Sequence, residues 1–514
     1  MFEILAGDLL GRIGRLKVGS RRAETPLFLP VINPVTQSIP ARWMKENLGA
    51  EAVITNAYII FKRLGERALE EGVHKMLDFD GIVMTDSGGY QVLEYGDIEA
   101  SPEEIALFEE GIGTDIAVPL DVPTGVCGRE RAEETVEKTL KNLERTLNAL
   151  RERGVRRALW AAPIQGGTHL DLLQRCAERE KGMGFDLYAL GSPTPLMEGY
   201  RFEKLFEMIY VVRRIIGFGR PLHLFGAGHP MIFPFIVALG VDMFDSASYY
   251  LYARDERYIT STGTLRIDRI DYFPCSCPVC SDITPDELRG LEREERVRLI
   301  ATHNLYACFR EIREIKQAIR DGRLMELLEM RARSHPRLYQ AFRWIMENEE
   351  LLKLMEDNTP LSSRRGINLF DELSLRRPRI RRARRRLMER YFKQPGHEKH
   401  LVLLPFNRRM SLEKLKTIVG EEVFEVACYG TPYGLIPDQL RYTYPFSQTN
   451  YPRKLIEEVS EDLIELMVEQ IRAGGYERIH IIGSRSRYLR ELASKLHEAL
   501  HKSGICSNLI DQNR

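Results

Sequence analysis

Between residues 25 and 250 one unit keeps returning: a short apolar run ending in a polar residue or glycine, then an amphipathic helical stretch. The runs are LFLPVI from Leu27, AVITNA from Ala52, GIVMTDSGG from Gly81, DIAVPLD from Asp115, ALWAAPIQG from Ala158, FDLYALGS from Phe185, PLHLFGAG from Pro221 and GVDMFDS from Gly240. Strands alternating with helices predict a parallel α/β fold, because parallel neighbours need a crossover and a helix is the usual one. Eight such units favour closure into a (β/α)8 TIM-like barrel, with a doubly wound open sheet as the arrangement that periodicity leaves open.

The ends of these runs are chemically unusual. Asn56, Asp86, Asp121, Gln165, Gly191, Gly226 and Asp245 all fall at or just past a strand's carboxyl end. In a barrel that edge holds the active site, since the strand-to-helix loops converge there. Any one of these side chains can be only the cap of the next helix; seven at corresponding ends predict a polar ring around one pocket. Within the ring, Asp86-Ser87-Gly88-Gly89-Tyr90-Gln91 puts a carboxylate at a turn whose glycines allow positive φ and close approach of a flat ligand. Asp245 adds a second carboxylate, and paired carboxylates suit reactions at an anomeric carbon, one attacking while the other moves protons. Asp242, inside the same strand, reads as a structural ion-pair partner.

A tight cluster, Cys275, Cys277 and Cys280 in PCSCPVC, precedes a helical stretch from about residue 292 to 322 that carries His303. Three thiolates and an imidazole complete a tetrahedral zinc shell with no open position, so one structural Zn2+ per chain is expected. The alternative is three incidental cysteines and a surface histidine. The other five cysteines are scattered, which excludes a disulfide framework and favours a cytoplasmic protein. The amino terminus lacks the pattern of a signal peptide, and no apolar run is long enough to span a membrane.

Lys and Arg number 74 and so do Asp and Glu, which excludes a uniformly basic nucleic-acid binder but not a local basic stripe. Such a stripe exists: 8 of the 11 residues from Arg376 to Arg386 are arginine. Contact with phosphates through Arg381, Arg382, Arg384 and Arg385 is one reading, a solvated helix face the other. A second α/β pattern follows in HLVLLPF, EVFEVACYG and YERIHIIGS. The expected organisation is a barrel over 1–358 with a zinc-binding insertion near 271–310, an arginine-rich linker or helical segment over 359–399, and a small α/β domain over 400–514.

DSGGYQ, PLDVPT, PIQGG, LFGAGHP, GVDMFDSASYYLYARDERY and PCSCPVC together resemble the tRNA-guanine transglycosylase family in its archaeal branch, over about residues 1–350. The resemblance implies a (β/α)8 barrel with a zinc insertion that exchanges guanine 15 of the tRNA D-loop for 7-cyano-7-deazaguanine, the first committed step to archaeosine, without ATP or a redox cofactor. It implies that Asp245 attacks the ribose C1′ and holds a covalent tRNA intermediate while Asp86 is the general acid/base, the reverse assignment of the two roles being the alternative within the family. Asp121 would read the amine and ring N–H of the base; Gln165 and the loop of Gly191 and Ser192 would hold its carbonyl edge, with Ser87 and Gly88 lining the same pocket. Cys275, Cys277, Cys280 and His303 match the zinc ligands. Expected partners are tRNA, the 7-deazaguanine base and a second copy of the chain. The stretch PYGLIPDQLRYTYPFSQTNYP resembles the intermediate domain shared with the archaeosine synthase paralogue. No PUA RNA-binding module is recognisable, which leaves two expectations: a separate PUA-domain protein as a further partner, or tRNA contact resting on the arginine run. The alternatives, that paralogue or a non-catalytic tRNA-binding subunit, fit less well with two retained aspartates.

Overall fold

The computed structural model describes residues 2–89, 100–191, 193–420 and 423–510. The chain divides into two compact units, Met1–Ile345 and Met346–Arg514. The first opens with an antiparallel sheet of β1 (Phe2–Asp8), β2 (Gly11–Val18) and β3 (Arg21–Glu24). Along β2 the alternation is plain: Leu16 and Val18 are buried while Arg15 and Lys17 are exposed, as a half-covered strand requires.

Eight parallel strands follow: β4 (Leu27–Pro30), β5 (Ala52–Asn56), β6 (Ile82–Asp86), β7 (Ile116–Ala117), β8 (Leu159–Ile164), β9 (Leu187–Leu190), β10 (Leu222–Leu224) and β11 (Met243–Ser246). Their order in the sheet is β4-β11-β10-β9-β8-β7-β6-β5, and a parallel bridge from Val31 to Ile54 joins its two ends. The sheet is therefore a closed (β/α)8 barrel of the expected kind. Alternate residues point inward: Leu27, Leu29, Ile54, Ile82, Met84, Ile116, Leu187 and Met243 form one interior cluster with Leu16, Val18 and Ala23 of the amino-terminal sheet. That sheet covers the amino-terminal end of the barrel. Arg12 of β2 reaches Asp242, the residue before β11, at 2.7 Å, and Arg213 meets the same carboxylate at 2.9 Å, all three buried.

A hairpin of β12 (Arg257–Thr260) and β13 (Gly263–Arg266) leads into the cysteine cluster, followed by the 29-residue helix Arg293–Asp321, which ends on Gly322 in the left-handed conformation. Among the described residues no helix is long and apolar enough to cross a membrane.

The second unit holds a two-residue pair of β14 (Ile367–Asn368) and β18 (Thr449–Asn450) and a five-stranded sheet. The sheet is built from β15 (His400–Pro405), β16 (Glu425–Thr431), β17 (Gly434–Pro437), β19 (Arg478–Ile482) and β20 (Cys506–Ile510), in the order β17-β16-β15-β19-β20. All neighbours are parallel except the β16–β17 hairpin. The arginine run forms the helix Pro378–Leu387. Its buried face of Ile380, Ala383 and Leu387, spaced three and four apart, joins the core that includes Leu401 and Leu403 of β15.

Candidate active site

At the carboxyl mouth of the barrel the backbone of 86–89 is shaped around Asp121. Asp86 ends β6, Ser87 is buried and donates its hydroxyl to the Pro119 carbonyl at 3.1 Å, and Gly88 has φ +101°. A Cβ on Gly89 would lie 2.1 Å from Asp121 Oδ1, so only glycine lets this turn approach the carboxylate. Asp121 Oδ2 accepts the Gln165 Nε2–H at 2.5 Å, and Gln165 Oε1 accepts the Thr124 amide at 3.0 Å. Gly191 clears the other side of the pair: a Cβ there would lie 2.2 Å from Gln165 Nε2. Ser192, Tyr90 and Gln91 lie outside the described residues.

Three carboxylates feel one another across this mouth. Burial, reinforced by the charge of Asp86, pushes Asp121 up from 3.8 to about 7. Burial likewise pushes Asp86 up to about 6, with the charge of Asp245 adding to it and the Gly88 amide and Asn56 opposing it. Asp86 can therefore carry a proton near neutrality. Asn56 serves two ends at once: its Oδ1 accepts the Ile59 amide at 2.8 Å, capping the helix Ala57–Glu71, and its Nδ2 reaches Asp86 Oδ2 at 3.4 Å.

Asp245, on β11 and 7% exposed, is held through one oxygen. Its Oδ1 accepts the Gly226 amide at 3.0 Å and lies 2.9 Å from Nε2 of His223, a fully buried residue of β10. Gly226 itself takes a φ of +58°, which turns its amide toward the carboxylate. Thus Asp86, Asp121, Gln165, Gly191 and Asp245 come together at one mouth, as their strand-end positions predicted. Asp242, by contrast, sits at the amino-terminal end of β11.

Some members of the site carry no sequence signal that singles them out. His223 is one. Another is the Cys176–Glu180 pair behind Gln165: Cys176 Sγ lies 3.4 Å from the Gln165 amide and 3.1 Å from Glu180 Oε1. Burial pushes Glu180 up to about 8, so it serves as a neutral donor or acceptor there. Glu109, also raised by burial, accepts the Thr85 hydroxyl at 2.6 Å directly behind β6.

A separate cluster gathers Cys275, Cys277, Cys280 and His303, whose donor atoms all lie within 4.8 Å of one another. His303 Nδ1 is 3.5 Å from Cys277 Sγ and 3.4 Å from Cys280 Sγ, spacings that suit a tetrahedral shell. Its other nitrogen donates to the Ile259 carbonyl at 2.9 Å, which fixes the tautomer with Nδ1 free to ligate. The Tyr258 ring stacks on the imidazole at 3.5 Å. These residues can hold a metal ion with all four positions filled by protein.

In the second unit the arginines have partners of their own. Arg381 meets Glu356 at 2.6 Å and Glu349 at 2.7 Å, and Arg385 meets Glu356 and Asp357 at 3.3 and 3.4 Å. Arg382 donates to the carbonyls of Glu356 and Thr359, and Arg384 to that of Pro432. Arg381 and Arg385 keep 27% and 32% of their side chains exposed.

Comparison with known proteins bears on this geometry. The family model described as queuine tRNA-ribosyltransferase matches residues 8–337. A protein of Aeropyrum pernix named tRNA-guanine(15) transglycosylase is 42% identical over 486 residues, 93% of this chain and 93% of that protein. A protein of the same name from Sulfolobus acidocaldarius is 40% identical over 94% of this chain and 95% of its own length, and one from Pyrococcus abyssi is 44% identical over 75% and 65%.

Proposed function

The chain belongs to the queuine tRNA-ribosyltransferase family, the tRNA-guanine transglycosylases, which are pentosyltransferases, and we propose that it exchanges guanine 15 of tRNA for 7-cyano-7-deazaguanine. The observation that carries this reading is the pairing of two unlike carboxylates at one mouth. Asp245 is anchored by two nitrogens on a single oxygen, while Asp86 is raised to about 6 and can hold a proton. Their environments push them toward different tasks, which is how acid and nucleophile are told apart.

In the first half-reaction the Asp245 carboxylate forms a bond to ribose C1′ as the bond from C1′ to guanine N9 breaks, through an oxocarbenium-like transition state. Asp86 supplies the proton that the departing base needs. In the second half the incoming deazaguanine returns its N9 proton to Asp86, N9 bonds to C1′ and the aspartyl ester bond breaks. The target nucleoside must leave its stack before Asp245 can reach it.

The Asp121–Gln165 pair supplies the base pocket. An entering guanine edge takes over both partners: its N1–H and amine go to Asp121, and its carbonyl to Gln165 Nε2 and the loop at Gly191 and Ser192. Ser87 and Gly88 hold the turn that brings Asp86 and Gly89 to the pocket wall. Product formation is the first step toward archaeosine.

Zinc is the ion we assign to Cys275, Cys277, Cys280 and His303, because three thiolates and one imidazole match its preferred shell. With no position left for water or substrate, its contribution is to hold the lobe around the hairpin. On family grounds the enzyme acts in the cytoplasm as a homodimer. Arg381, Arg382, Arg384 and Arg385, all half-buried, add phosphate contacts. Replacing all four by alanine weakens tRNA binding and flattens its salt dependence; an unchanged slope removes these residues from the interface.

The reading is tested with labelled guanine and unmodified archaeal tRNA. Label enters the tRNA with wild-type protein, is displaced by 7-cyano-7-deazaguanine, and does not enter with Asp245→Ala or Asp86→Ala. Tight tRNA binding without any label incorporation would move the protein to a non-catalytic role.

A further inference from the structure

His223 has a place at Asp245 that the exchange reaction, as proposed above, leaves unassigned. The imidazole is fully buried on β10, with its edge against the Phe225 ring at a centroid distance of 4.9 Å. Its Nε2 lies 2.9 Å from Asp245 Oδ1, while its Nδ1 is buried and has no hydrogen-bond partner among the described residues.

Those facts set the proton. Asp245 Oδ1 already accepts the Gly226 amide, so it is an acceptor oxygen, and Nε2 must bring the hydrogen. A hydrogen on Nδ1 would be a buried donor with nothing to receive it, which costs the full desolvation of that group. The imidazole is therefore neutral, with Nε2–H donating and Nδ1 a bare lone pair. The two donors occupy Oδ1. Oδ2 accepts no hydrogen bond among the described residues, and it is the oxygen left to make a bond.

We propose that His223 is a positioning residue: with the Gly226 amide it holds Asp245 Oδ1, so that Oδ2 attacks ribose C1′, and it stabilises the carboxylate when that bond breaks again. This inference rests on Asp245 being the nucleophile. In the first half-reaction Oδ2 bonds to C1′ and Oδ1 becomes the ester carbonyl oxygen, keeping both donors. In the second, the electron pair of the C1′–Oδ2 bond returns to Asp245, and negative charge reappears next to donors already in place. The histidine gains and loses no proton in either step.

Removing the donor therefore acts on the carboxylate more than on the ester, because a hydrogen bond to an ionised group is roughly twice as strong as one to a neutral oxygen. The free carboxylate loses more than the adduct does. The equilibrium share of tRNA held as covalent adduct at fixed guanine consequently rises, while turnover falls.

The test compares wild type with His223→Met, which removes the donor, and His223→Gln, whose amide nitrogen reaches the place of Nε2. Each is assayed for exchange and for adduct trapped under denaturing conditions. His223→Met should lose about 10²-fold in kcat, with the KM for guanine changed by less than about threefold, and should show a larger adduct share. His223→Gln should return to within about tenfold of wild type, which a general base could not do through an amide. An adduct share in His223→Met equal to wild type, or a glutamine variant as slow as the methionine one, overturns the inference. Should the methionine variant fail to fold, nitrogen chemical shifts of the wild-type imidazole decide. A bare Nδ1 and protonated Nε2 support the assignment, and the opposite tautomer or a doubly protonated ring overturns it. Asp245→Asn separates the two levels: adduct persisting in that variant removes the nucleophile itself, whereas its loss alongside wild-type behaviour of His223→Met removes only the role of the histidine.

Discussion

Asp86→Asn should make the protein more stable while it stops the reaction. Burial holds the folded-state pKa of Asp86 near 6 against an ordinary value of 3.8, so the folded chain binds this proton more tightly than the unfolded chain does. Below 3.8 the group is protonated in both states and costs nothing. As pH rises toward 6 the unfolded chain ionises freely while the folded one resists, and above 6 the whole cost is present. The shift corresponds to roughly 3 kcal/mol. That is an upper figure, since Asp86 keeps part of its surface at the barrel mouth and the amide also forfeits the 3.4 Å contact from Asn56 Nδ2. A gain of about 1–3 kcal/mol at pH 7.5 is the expectation, read as a rise of a few degrees in Tm. At pH 4 most of the difference should be gone, leaving about 0.5 kcal/mol. Thermal unfolding of both at the two pH values reads the cost of the Asp86 charge together with the relief its removal gives to Asp121, which that charge helps to raise. A gain of equal size at both pH values, or a loss at pH 7.5, would refute the account of Asp86 as a carboxylate strained by its surroundings.

Gly89→Ala places a methyl 2.1 Å from Asp121 Oδ1, so the turn or the carboxylate must move. Exchange should fall about 10²-fold in kcat/KM with folding intact, and wild-type kinetics would dismiss the close approach as a requirement. Cys280→Ser should lower bound metal below one ion per chain and lower Tm, while cobalt in place of zinc should keep exchange active. Loss of activity with full cobalt occupancy and an unchanged Tm would point to a chemical role for the metal. Asp242→Ala leaves Arg12 and Arg213 buried without their carboxylate and should cost about 3–5 kcal/mol in denaturant unfolding; a change below about 1 kcal/mol would show that the arginine contacts to backbone carbonyls suffice.

The barrel strands were legible because each pairs an apolar run with a polar terminus, and even the two-residue β7 sits inside such a run, DIAVPLD. The amino-terminal sheet is less legible, although Arg15-Leu16-Lys17-Val18 alternates as a strand should. Its three antiparallel strands are joined by tight turns and stand outside the strand–helix repeat that marks the barrel. In the site, the residues that could be found were those marked by position at strand ends. His223 looks like core filler in PLHLFGAG, and what gives it meaning is a 2.9 Å approach to a residue on the neighbouring strand. The bond between Asp121 and Gln165 joins residues 44 apart and depends on two glycines standing aside. The arginine run announced charge but not its partners, because Glu349 and Glu356 come from an earlier helix that folding brings alongside.

The packed interior and the sheet over the amino-terminal end give the barrel a single door. Leu16 and Val18 plug one end, and Leu27, Ile54, Ile82, Met84 and Met243 leave no passage through the middle. Whatever leaves the pocket must go out past the carboxyl mouth, and on the proposed reaction whatever replaces it must come in the same way, beside the tRNA that Asp245 would hold. The Asp121–Gln165 pair offers one set of hydrogen-bond partners, so two bases cannot be held there at once. The order of traffic, departure before entry, is thus imposed by the architecture, and the enzyme should show ping-pong kinetics with the outgoing guanine competing directly against the incoming base.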